Sequence, residues 1–113
     1  MKDFLLVFRA DFPSMPKPTP EEGKAMTQKW MDWIGGIAAQ NKLTDKGSSL
    51  ASAGSVVKPG NIVTDGPYIE TKELIGGYSV VKVATLAEAT EIAKGCPILA
   101  VGGSVEVREI NPM

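Results

Sequence analysis

A chain of 113 residues is one domain, long enough to fold without disulfides or a metal and short enough to gain from an oligomeric interface. Its 12 basic and 13 acidic side chains leave a net charge of −1, which gives no electrostatic footprint for nucleic acid or an anionic membrane. There is no histidine and one cysteine, Cys96, and no apolar run reaches the length of a membrane span.

Without histidine the chain cannot build a Ser-His or Cys-His nucleophile pair, a histidine general base or the commonest zinc ligand. A single cysteine allows neither an intramolecular disulfide nor a multi-thiolate metal site. Catalysis would have to use carboxylates, lysine, arginine, tyrosine or backbone dipoles. No metal or cofactor is expected.

The apolar centre of Met1–Ala10 is too short for a secretory leader and is interrupted by Asp3, so a strand over 3–9 and a cytoplasmic protein are expected. Phe4, Leu6 and Phe8 fall on one face of that strand, Leu5, Val7 and Arg9 on the other. Two largely apolar faces both need cover. Helices can supply one, and a partner subunit is the economical supply of the other.

Pro13, Pro16, Pro18 and Pro20 make 11–20 an extended loop. Thr19 as cap, Pro20 at the first helical position and Glu22 three residues after the cap predict a helix over 20–40. Met26, Trp30, Trp33, Ile34 and Ile37 form its apolar stripe. Gly35 and Gly36 within it suggest close helix–sheet approach or an early end. The small, polar stretch 41–64 reads as short strands at 48–53, 55–57 and 62–64. Asp65-Gly66-Pro67 reads as a turn. A strand over 77–84 follows, then Thr85 and Glu88 as the start of a helix that stops at Gly95, and a last strand over 104–110. The order is that of an α+β, ferredoxin-like sandwich, an antiparallel sheet with two helices on one face and the other face free for dimerisation.

The densest cluster of ionisable groups is Asp65 with Glu70, Lys72 and Glu73. Asp65 is either a turn residue capping its own backbone or a functional carboxylate, which would need a raised pKa or an orienting cation. Arg9, Lys82, Glu106 and Arg108 lie on strands. If they share the helix-free face, they form either an anion-accepting pocket between subunits or a structural ion-pair network. Trp30 and Trp33 read as core or interface anchors, with an aromatic clamp as the lesser alternative. Cys96 lacks a neighbour that would activate it. None of the Gly-Gly pairs at 35–36, 76–77 and 102–103 has the spacing of a phosphate-binding loop.

Val63-Thr64-Asp65-Gly66-Pro67-Tyr68, Glu70-Thr71-Lys72-Glu73 and Gly76-Gly77-Tyr78 together resemble the signature of the YCII-related proteins known as the DGPF-domain group. Val80–Val83, Leu86-Ala87-Glu88-Ala89 and Val105-Glu106-Val107-Arg108 fit the same pattern. The resemblance implies a dimeric α+β barrel, two ferredoxin-like subunits packed sheet against sheet. It also implies a small bacterial protein, some relatives being encoded beside extracytoplasmic-function sigma factors and others suggested to be enzymes with an Asp–His pair. Asp65 is the carry-over for a functional carboxylate, but no histidine exists to partner it. Tyr68 also stands where the group has phenylalanine. The expected candidates are then Asp65 as the catalytic position and Arg9, Tyr68, Lys72, Tyr78, Lys82 and Arg108 as ligand contacts. The function expected is a homodimer binding a small molecule near Asp65, with lyase, isomerase or hydrolase-like activity. The alternative is a non-catalytic regulatory module with a protein partner such as a sigma factor.

Overall fold

A computed structural model describes residues 1–66 and 74–112. Strand β1 (Lys2–Ala10) is central, with strict alternation: Phe4, Leu6, Phe8 and Ala10 are buried while Asp3, Leu5, Val7 and Arg9 are only partly covered. After a 3-10 turn at Phe12–Ser14 and the proline-rich loop, helix α1 runs Pro20–Ala39. Its start is the capping box read from sequence. The Thr19 hydroxyl accepts from the Glu22 backbone N–H, and the Glu22 carboxylate accepts from the Thr19 N–H, both at 3.1 Å.

Strand β2 (Leu43–Ser49), the hairpin β3 (Gly54–Lys58) and β4 (Ile62–Gly66), strand β5 (Leu74–Val83), helix α2 (Leu86–Ala93) and strand β6 (Ser104–Glu109) complete the order. A 3-10 segment, Pro97–Val101, joins α2 to β6. Helix α2 starts as expected, the Thr85 hydroxyl accepting from the Glu88 N–H at 3.2 Å. The main sheet is antiparallel in the order β2-β5-β1-β6, while β3 and β4 form a two-stranded sheet of their own. The molecule is therefore α+β, with two helices and antiparallel sheets.

One core unites the even positions of β1 with Val81 and Val83 of β5, Ile37 of α1, and Ala89 and Ala93 of α2. Both helices thus sit on the same sheet face. The rings of Phe8, Trp30 and Trp33 meet edge to face, with centroids 4.9 Å apart for Phe8–Trp30, 5.9 Å for Phe8–Trp33 and 5.7 Å for the two tryptophans. Such geometry aligns the positive ring edges with the negative faces. The Trp33 indole N–H also donates to the Ile92 carbonyl at 3.1 Å, tying α1 to the end of α2.

Cys96 is 3% exposed, and its burial pushes the thiol up to about 11. It stays protonated at neutral pH, as a packed core residue.

Three local expectations need correcting. Strand β2 begins at Leu43 and not at 48, because pairing with β5 imposes a strand on a stretch with little apolar signal. Asp65 and Gly66 are strand residues, opposite Ser55 and Gly54, and not a turn. Gly35 and Gly36 neither end α1 nor let it approach the sheet, since both are exposed with open space where a Cβ would stand. Without such a packing role, they only weaken the helix. Gly36→Ala is expected to stabilise the protein by about 1 kcal/mol, measured as a higher urea midpoint at unchanged m-value.

The β3–β4 hairpin is exposed at every position except the partly covered Val56 and Gly66. The radius of gyration is 15.5 Å, above the ~13 Å expected for a compact chain of this length. Among the described residues no helix is long and apolar enough to cross a membrane.

Candidate functional site

The edge of the main sheet at β2 is shaped by one extra residue. Asp45 lies opposite Val80 and Ser48 opposite Tyr78, so β2 spends three steps where β5 spends two. Gly47 takes up the bulge with a φ of +75°, and its N–H donates to the Asp45 carboxylate at 2.8 Å. The displaced Lys46 carbonyl accepts from the buried Ser79 hydroxyl at 2.7 Å. Ser79 is 1% exposed, and this bond explains a serine on the core face of β5.

Beside the bulge opens a cavity of about 990 Å³, at the upper end of the roughly 300–1,000 Å³ usual for small-molecule sites. Helix α1 contributes Met26, Trp30 and Ile34, and β1 contributes Phe8. The proline-rich loop closes a side with Phe12 and Met15, and Ile98 and Val101 come from the 3-10 segment. Gly76, Gly77 and the bulge residues Lys46 to Ser49 form the sheet side. The Phe12 ring lies where a side chain at position 76 would stand, so the glycine lets the loop rest directly on β5. The rim carries Lys17, Glu22 and Lys46.

The residues singled out from the sequence are distributed differently. By register, Arg9, Tyr78, Lys82, Glu106 and Arg108 lie on the helix-free face of the sheet. Glu106 binds both arginines there, Arg9 at 3.1 Å and Arg108 at 3.3 Å. These two arginines, Arg108 foremost through its hydrogen bond, hold the Glu106 carboxyl below the usual carboxylate range. Lys82 is not part of that group. It sits opposite Asp3, six residues along β1 from Arg9, which corresponds to about 20 Å.

Tyr78 is the one residue of the set that also lines the cavity. Asp65 lies on the hairpin, exposed, and its carboxylate makes no hydrogen bond or ion pair among the described residues. Tyr68, Lys72 and the rest of 67–73 lie outside the described residues. The structure thus brings Arg9, Glu106 and Arg108 together and leaves Asp65 and Lys82 apart from them. Among the described residues no group of His, Cys, Asp or Glu could hold a metal ion.

Sequence reasoning missed the cavity. The one available signal was Phe12 and Met15, two apolar side chains in a loop otherwise built of prolines and polar residues.

Comparison with known families gives a match to the YCII-related domain over residues 12–113, nearly the whole chain. The chain belongs to the YCII-related family. That agrees with the resemblance carried by Asp65-Gly66-Pro67 and Gly76-Gly77-Tyr78, which lie within the matched region. Comparison with curated proteins gives no match. In this YCII-related chain the matched region includes the bulge, both helices and the loop that closes the cavity, while β1 precedes it.

Proposed function

We propose that this YCII-related chain is a small-molecule-binding protein that works as a homodimer, with its binding site in the cavity between α1 and the β2–β5 edge. The observation that carries the reading is the cavity itself, of about 990 Å³, walled by Trp30, Phe8, Phe12 and Met26 and closed by a loop with little regular structure. Loops seated on a rigid scaffold are where binding sites concentrate.

Ferredoxin-like architecture is supported by the βαββαβ order that remains when the hairpin is set aside, and by the sheet order β2-β5-β1-β6. Dimerisation through the helix-free face is supported by Leu5, Val7, Tyr78 and Val80, a partly covered apolar strip along the centre of that face. A second copy packed there would form the dimeric barrel and bury the strip.

Binding near Asp65 is the competing placement, and one experiment separates the two. Thermal shifts against a broad metabolite panel are measured for the unaltered protein, Trp30→Ala and Asp65→Asn. The cavity reading predicts hits whose shifts are lost in Trp30→Ala and kept in Asp65→Asn. The reverse pattern would move the site to the hairpin.

A further inference from the structure

We infer that the cavity selects an organic anion with an apolar body, its charged head held at the rim by Lys17 and Lys46. This rests on the cavity being the binding site, and adds the class of ligand.

The apolar walls offer a polar body little. Trp30, Phe8, Phe12, Met26 and Ile34 carry no charge, and among the described residues no buried side-chain nitrogen or oxygen lacks a hydrogen-bond partner. Two polar groups on the β5 side are already committed: the Ser79 hydroxyl to the Lys46 carbonyl, and the Gly76 carbonyl to the Leu50 N–H at 2.8 Å. A ligand body set against Trp30, Phe8, Phe12 and Met26 is therefore favoured when apolar, since a polar atom against these four side chains would lose its water and gain no partner from them.

Among the described residues, the charged ones that line the cavity are Lys17, Glu22 and Lys46, all exposed and so at its mouth. Glu22 is spent on the helix cap, where its carboxylate accepts from the Thr19 N–H at 3.1 Å. Neither lysine has a side-chain partner among the described residues. Two free ammonium groups against one engaged carboxylate leave a rim that favours an anion. Ser48, Ser49 and Thr27, also at the lining, add neutral hydroxyls suited to carboxylate or sulfonate oxygens. An acyl chain and an aromatic ring system both satisfy this description.

The test is a fluorescence titration of the intact protein with 8-anilinonaphthalene-1-sulfonate, an anion with an aromatic body. Displacement by decanoate and 2-naphthoate is then compared with displacement by their uncharged counterparts, decanol and 2-naphthylmethanol. The expected result is displacement by the anions, with the alcohols about fivefold weaker or worse, and loss of that preference in Lys17→Gln/Lys46→Gln. Relative potency of decanoate and naphthoate tells an acyl from an aryl occupant. If alcohols and anions compete equally, or the double variant keeps the preference, the anion inference is overturned while the cavity stands. If the probe binds and Trp30→Ala leaves its affinity unchanged, both the inference and the cavity reading fall.

Discussion

Gly47→Ala is expected to cost about 3 kcal/mol or more of stability, read as a large drop in the urea midpoint. Two effects add at this position. Gly47 has a φ of +75°, and a Cβ there would run into the Tyr78 carbonyl oxygen on the neighbouring strand. Backbone cannot swing aside as a side chain would, so β2 would have to leave its register with β5. The Ser79–Lys46 bond would go with it. Gly60→Ala is the control, since Gly60 has a φ of +85° but open space around it. It should cost only the left-handed penalty, about 1 kcal/mol. Equal costs for the two variants would show that the close approach of β2 to β5 does not constrain the bulge.

For the proposed sheet-to-sheet dimer, Leu5→Lys is expected to give a monomer at micromolar concentration in sedimentation velocity, with the far-ultraviolet circular dichroism retained. Leu5 lies on the helix-free face, opposite Val80 on one side and Arg108 on the other. A lysine there would face no carboxylate directly, and the diagonal Glu106 is already engaged by Arg9 and Arg108. In a sheet-to-sheet dimer it would be buried unpaired, a penalty of several kcal/mol that weakens association by roughly a thousandfold. The core on the other face, with Phe4 and Leu6 fully buried, is untouched and should hold the subunit fold. An unaltered protein that sediments as a monomer at this concentration would contradict the dimer, and a Leu5→Lys dimer would move the interface elsewhere.

Strong periodicity and caps made part of this fold legible. Strand β1 alternates cleanly, α1 opens on a complete capping box, and Thr85 with Glu88 marks α2. Strand β2 was not legible because Leu-Thr-Asp-Lys-Gly-Ser-Ser has one apolar residue and a bulge that breaks the two-residue period. Its strand character comes from β5, which no local window contains. The Asp65 turn reading had a sound basis in the sequence Gly66-Pro67, yet Asp65 and Gly66 are both within the β3–β4 ladder.

The candidate site divides along the same line. Alternation left it conditional whether Arg9, Lys82, Glu106 and Arg108 share the helix-free face, where the strand register places them. It could not say that Glu106 would engage both arginines while Lys82 stood some way off. The cavity draws on a loop, a helix, a bulged edge strand and a glycine pair, and only tertiary structure brings these together. Trp30 illustrates the difficulty: helical spacing identifies it as an inward residue, but one edge meets Phe8 while the side chain also borders the cavity.

A crystal structure of the protein with 8-anilinonaphthalene-1-sulfonate decides where the ligand sits. The naphthalene rings are expected against Trp30 and Phe12, with the sulfonate toward Lys17 and Lys46. Density for the probe on the helix-free face or along the hairpin at Asp65, with the cavity holding only water, would contradict that placement.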